Sequence, residues 1–244
     1  MHDSKPIPTP MLSFERLSQS GAESFDDPTY YKSIAGVPQY YTLTKPGICF
    51  AVNKVSQFMH KPLISHWKAV KRIVRYLSGT TDQGLVFHSS SHFPIFAFAD
   101  ADWDSDVDDR RSTSGYCVYF GGNLVAWSSR KQHSVSHSSI EAEFHSVADS
   151  STKIIWLENL LHELHIPIYG TPTIYCDNVS AVQISANPIM HSRTKYFELN
   201  LHFVQDKMNQ QKLHIVHVLG LYQIADICTK PLSLNAFEKF KSKL

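Results

Sequence analysis

Cysteine is scarce in this chain, and its four copies lie far apart. Cys49, Cys117, Cys176 and Cys228 include no CxxC pair, which excludes the ligand spacing of a thiolate-cage zinc site. No signal peptide precedes them, so free thiols, buried or half-buried, are expected in an intracellular protein. No apolar run approaches the roughly 18 residues of a spanning helix, so a soluble protein without a membrane partner is expected. Charge of one sign is missing too, since 23 basic residues face 22 acidic ones for a formal +1. A whole-chain attraction to nucleic acid is thereby excluded, and any such case must rest on local clusters. Neither a Gly-x-Ser-x-Gly elbow nor a Walker loop occurs, so nothing supports a protease triad or a phosphate-binding Gly loop.

What is present is ample material for a core. Apolar residues make up 43% of 244 positions and aromatics 12%, enough for one large domain or a compact domain with a smaller neighbour. Residues 1–32 are rich in Pro, Ser and Asp and read as an extended, poorly packed arm. Residues 33–60 read as helical with a break near Lys45-Pro46-Gly47. A further helix follows, with Trp67, Val70, Ile73, Val74 and Leu77 at helical spacing and Lys68, Lys71, Arg72 and Arg75 on the opposite side. The texture changes at residue 95. Ile95–Ala99 reads as a buried strand, and Gly115–Phe120 with Asn123–Trp127 as a hairpin turning through Gly121-Gly122. A long helix over Ser139–Leu164 starts from a Ser138/Glu141 capping box. A strand at Thr173–Cys176, helices at 178–186 and 194–210, a strand at 213–218 and a helix at 222–241 broken at Pro231 complete the order. That order, β-β-β-α-β-α-α-β-α, implies a mixed α/β sheet with helices packed on it.

The acids fall at telling places. Asp100 ends the first strand, Glu143 lies early in the long helix, Asp177 closes the strand Thr173–Cys176, and Asp226 lies early in the last helix. An acid placed directly after an apolar strand stands at the sheet's edge, where strand ends converge. Converging carboxylates repel unless neutralised, and hard divalent cations such as Mg²⁺ do this through oxygen ligands. Two such ions can serve phosphodiester hydrolysis. Each acid has an ordinary alternative, and Asp177-Asn178 before a helix is a good cap candidate. Glu141 and Glu143, two apart on a helix, cannot both face one site. Glu143 aligns with Ile140 and Val147 toward the sheet, and Glu141 suits the cap. Asp102 shares a strand face with Asp100 and competes for the metal role.

Six segments, in order, carry a resemblance: Ala99–Trp103, Asp108–Gly115, Ser138–Phe144, Tyr175–Asn178, His191–Lys195 and Ala225–Leu232. They resemble the ribonuclease H segment of copia-type LTR retrotransposon Pol polyproteins. Upstream, Tyr40–Pro46, Phe50–Asn53 and the Trp67–Leu77 helix resemble the tail of the same polyprotein's reverse transcriptase, without the polymerase core. The resemblance implies a ribonuclease H-like fold with a mixed five-stranded sheet and flanking helices, preceded by a small helical segment. Its expected division is 1–32 arm, 33–90 reverse-transcriptase tail and 91–244 ribonuclease H-like domain. It implies Asp100, Glu143, Asp177 and Asp226 as catalytic and metal-binding acids. A pair of Mg²⁺ ions, or Mn²⁺ in their place, would be the cofactor, and an RNA–DNA hybrid the substrate. A separate reverse-transcriptase core would be a partner. Arg193, Lys195, Ser139 and Asn178 are the expected substrate contacts, near helix starts suited to phosphate. Asp106-Val107-Asp108-Asp109 looks superficially like a polymerase turn but lacks the leading aromatic, so no polymerisation is expected. The loop Leu219-Gly220-Leu221-Tyr222 lacks the histidine that cellular ribonucleases H often carry there, and His217 is expected to be structural. The rival reading is a catalytically inactive, nucleic-acid-binding remnant of a decayed element.

Overall fold

Alternation along the strands decides how the layers stack. The computed structural model describes residues 5–21, 23–186 and 195–244, with the backbone alone at Lys195 and Tyr196. Strands β1 (Ile95–Asp102), β2 (Thr113–Phe120), β3 (Asn123–Lys131), β4 (Thr173–Cys176) and β5 (His214–His217) form one mixed sheet, ordered β3-β2-β1-β4-β5. β1, β2 and β3 are antiparallel neighbours, while β4 joins β1 and β5 joins β4 in parallel. Gly121 and Gly122, both at positive φ, turn the β2–β3 hairpin as its two-residue loop requires. Parallel additions need crossovers. These are α4 (Ser139–Glu163) before β4, then α5 (Val179–Ala186) and α6 (Lys195–Asn209) before β5. The mixed five-stranded sheet with flanking helices matches the expectation.

Period-two burial splits the sheet between two cores. Ala97, Ala99, Val118 and Ile174 pack on Phe144, Val147, Ile154 and Leu201 of α4 and α6. Phe96, Phe98, Cys117 and Tyr119 turn the other way. They meet α1 (Pro28–Tyr41), α2 (Cys49–Ser56), α3 (Ile64–Ser78), α7 (Asp226–Thr229) and α8 (Leu234–Lys241). Among the described residues, no helix is long and apolar enough to cross a membrane.

Two expectations about the first half need correction. A reverse-transcriptase tail without its polymerase core would leave the α3 face around Trp67 and Tyr76 exposed. Tyr76 is instead buried, edge-on to Phe237 of α8 at 5.7 Å, and Trp67 is half-buried against Phe25 and Tyr30. The apolar stripe of α3 has to be covered, and α1, α2 and α8 cover it in one core continuous with β2. The arm is also not loose. Met11 and Leu17 are buried, Arg72 donates to Thr9 Oγ1 (2.8 Å), and Arg75 donates twice to the Lys5 carbonyl (2.9 and 2.8 Å). Two of the four basic residues of α3 therefore bind the chain's own arm. The helix α1 also begins inside the stretch read as arm, started by Pro28 and capped by Asp27, whose side chain accepts from Tyr30 N.

A buried charge cluster fastens the first half to the sheet. Asp106, in the β1–β2 loop, is 2% exposed. Its carboxylate lies 3.0 Å from Lys54 Nζ of α2 and 2.9 Å from Lys131 Nζ of β3, and accepts from the amides of Asp108 and Asp109. The stretch that looked superficially like a polymerase turn is thus a structural anchor. Burial alone would raise the Asp106 carboxyl, but Lys131 and Lys54 outweigh it and hold it well below the usual carboxylate range. A native value below the unfolded one contributes stability that is complete above about pH 4 and is lost as pH falls toward the native value. Asp106→Asn is expected to cost about 3–5 kcal/mol near neutrality, the scale for breaking a buried pair. Urea melts from pH 7 to 3 should show the gap to wild type narrowing below about pH 4; a gap constant across that range would remove the carboxylate as the anchor.

Candidate metal centre

The site is a consequence of strand register. β1 and β4 pair in parallel with Phe98 beside Tyr175. Two residues further on, Asp100 and Asp177 reach the same level at the carboxyl ends of neighbouring strands. The other two acids come from the helices. Ser138 caps α4 by accepting from Glu141 N, and Glu141 accepts in return from His137 N (2.9 Å). The capping glutamate is therefore spent on the backbone, as expected. Glu143, two residues on, turns to the sheet and is 7% exposed. Asp226 opens α7, which lies flat against β2 because residue 115 is glycine: a Cβ there would stand 2.7 Å from both Cys228 Cβ and Thr229 Cγ2.

These four carboxylates converge. One oxygen each of Asp100, Asp177 and Asp226 lies within 4.8 Å of the others, and Glu143, Cys176 and Asp177 form a second such group. Asp177 belongs to both. Asp102 belongs to neither. Asp177 Oδ1 is buried without a hydrogen-bond partner, an orphaned acceptor of the kind that calls for an ion or another donor. Thr229 Oγ1 donates to Asp100 Oδ2, and Gln223, fully buried, donates to the Ala99 carbonyl at 2.8 Å, pinning the last segment to β1. Lys230 Nζ stands 3.0 Å from Asp226 Oδ1 and 3.4 Å from Asp100 Oδ2. Reasoning from acid placement missed Gln223, Thr229 and Lys230. Their signal was the segment Ala225–Leu232, which contains Thr229 and Lys230 and begins two residues after Gln223.

The expected substrate contacts fare differently. Ser139 is exposed at the first turn of α4. Asn178 is the cap of α5, its Oδ1 accepting from Ala181 N at 3.0 Å, so that oxygen is engaged by the backbone. Capping thus falls to Asn178 and leaves Asp177 to the cluster. Arg193 and the side chain of Lys195 lie outside the described residues. His217, expected to be structural, is exposed on β5.

Without a cation, such a cluster resists ionisation. Burial, then the charges of Asp100 and Asp177, push Glu143 up to about 10. Burial and Asp100 likewise raise Asp226, and burial raises Asp100 against the pull of Lys230. Folded Glu143 keeps its proton where the unfolded chain, with a value of about 4.3, has lost it. Stability therefore falls as pH rises across that interval. In EDTA, Glu143→Gln is expected to melt higher than wild type at pH 8 and without advantage at pH 4. Thermal melts at both values test this; equal midpoints at pH 8 would mean that the acids do not strain the metal-free fold.

No protein-family model matches the chain. The Pol polyprotein of the Arabidopsis thaliana transposon RE2, described as retrovirus-related, is 44% identical over all 244 residues, which span 17% of its length. Among solved structures, a foamy viral protease–reverse transcriptase in complex with double-stranded DNA aligns with 82% of this chain and 33% of its own at TM-score 0.50 and 8% identity. A fainter likeness, TM-score 0.42 at 13% identity, is to the N-terminal ribonuclease H domain of a Mycobacterium tuberculosis protein, over 62% of this chain and 97% of that one. The sheet, with its order β3-β2-β1-β4-β5, is the mixed five-stranded sheet with flanking helices that was expected. Along its whole length, this chain is similar to a stretch of the retrovirus-related Pol polyproteins of transposons.

Proposed function

We propose that this chain hydrolyses the RNA strand of an RNA–DNA hybrid, with a pair of Mg²⁺ ions held by Asp100, Glu143, Asp177 and Asp226. The observation that carries the reading is the convergence of four carboxylates from four elements, with Asp177 Oδ1 buried and unpartnered. The donor set fits a hard cation. Cys176 is the one sulfur among the grouped ligands, and the remaining donors are carboxylate oxygens, the ligand type of a hard cation. When bound, paired divalent ions lower the pKa of water and neutralise charge on the phosphate. The chain's own residues supply the placement. Strand register sets Asp100 beside Asp177, the α4 cap sets the rotation of Glu143, and Gln223 with Thr229 locks the Asp226 segment onto β1.

In this proposal residues 91–244 carry the nuclease, and residues 33–90 stand where a reverse-transcriptase tail is expected, with a separate polymerase core as partner. Ser139 offers a hydroxyl to substrate beside Glu143, and Arg193 and Lys195 remain proposed phosphate contacts.

Asp177→Asn keeps the size of the side chain and removes a ligand charge. Mg²⁺-dependent cutting of a labelled hybrid should then fall by more than the roughly 10–100-fold typical of losing an outer partner of a metal site. Hybrid binding should persist, because phosphate contacts come from other residues. Glu141→Gln, which alters the cap and a 3.8 Å contact with His145 and no acid of the cluster, should cost about 1 kcal/mol of stability and leave cutting intact. Equal activity in all three proteins would sink the assignment. A wild type that binds hybrid and never cuts it would make the chain an inactive binding remnant.

A further inference from the structure

The ammonium of Lys230 stands inside the acid cluster rather than at its rim. Its nitrogen lies 3.0 Å from Asp226 Oδ1 and 3.4–3.5 Å from both oxygens of Asp100, a carboxylate that is itself 1% exposed. Two carboxylates at this range, one of them buried and the other half-buried, repel unless a cation stands between them, and in this arrangement the cation is a side chain. Its placement is fixed by α7: Lys230 is four residues beyond Asp226, and its backbone amide donates to the Asp226 carbonyl at 3.1 Å. The contact with Asp226, at 3.0 Å, is an ion pair that balances charge within the cluster.

The nitrogen also has somewhere to go. The Lys230 side chain is 32% exposed, and the residue lines a cavity of about 420 Å³ bounded by Asp102, Trp103, Phe14 and Arg16. We propose that Lys230 is a built-in counter-ion: it holds Asp100 and Asp226 together in the metal-free chain, and a divalent cation must displace it toward that cavity to take the pair. The inference rests on the metal-binding reading above. It differs from an ordinary supporting role in sign. A residue that merely orients ligands strengthens metal binding, whereas a competitor weakens it.

The test uses the whole chain and two readouts that do not involve cutting. Thermal melts in EDTA compare wild type, Lys230→Gln and Lys230→Arg, and Mn²⁺ titrations followed by electron paramagnetic resonance give the metal affinity of each. Lys230→Gln should melt lower than wild type in EDTA and bind Mn²⁺ more tightly, by about tenfold or more, the scale of the effect of a unit charge this close to a carboxylate. Lys230→Arg keeps the charge and should recover most of the lost stability. A glutamine variant that folds only when Mn²⁺ is added would support the proposal in the same way. An unchanged melt for Lys230→Gln in EDTA overturns the counter-ion role. Equal or weaker Mn²⁺ affinity overturns the competition. If no protein takes up Mn²⁺, the metal reading itself falls and the competition with it, while the EDTA melts still decide the counter-ion role.

Discussion

Mutual repulsion among four acids at one end of a sheet is the constraint around which the rest of this molecule is arranged. Burial raises the proton affinity of Asp100, Glu143 and Asp226, and the charges of Asp100 and Asp177 raise it further in the acids beside them. Left alone, such groups would turn to water. Here they cannot, because each is fixed by an element with its own reason to be where it is. Register fixes Asp100 and Asp177, a helix cap fixes Glu143, and a buried glutamine and a missing Cβ at Gly115 let α7 bring Asp226 close. The stability given up at the cluster is offset by the two apolar cores on either side of the sheet.

The polar centres of the molecule contrast in charge balance. Around Asp106 two ammoniums and two amides meet one carboxylate, and the proton affinity of that acid falls. Around Asp100 one ammonium is shared among several carboxylates, and their proton affinity rises despite it. The first arrangement is complete and joins α2 to the sheet. The second is short of positive charge, which is the condition for taking up a cation. Chemistry is thus concentrated where balance fails, and cohesion where it is met.

The same logic explains why the first half of the chain is not an ornament. Phe237 and Phe240 of α8 share a core with Tyr31, Ile48, Val70 and Ile73, and the same core reaches Cys228, two residues from Asp226. The helices before residue 80 therefore help hold the segment that carries one acid of the centre. The arm adds to this, passing along α3 and reaching the β1–β2 loop, where Ser18 and the amide of Gln19 donate to Asp108.

Much of this was legible without coordinates. Period-two and period-3.6 patterns marked the strands and helices to within a few residues, because local backbone preference and burial agree in them. The capping box separated Glu141 from Glu143, since side chains two apart on a helix face different ways. The four acids could be named because strand ends and helix starts are local features. Other facts needed the tertiary structure. The burial of Tyr76, the anchoring of the arm by Arg72 and Arg75, and the pairing of Lys54 with Asp106 are contacts between residues tens of positions apart, which no periodicity encodes. Asn178, not Asp177, caps α5, and only the fold shows which of two adjacent side chains the turn can use. Sequence by itself determined which elements form and where their acids sit. Tertiary structure alone decided how charge is balanced among them, placing Lys230 in the cluster, because electrostatics depends on distance in space and not along the chain.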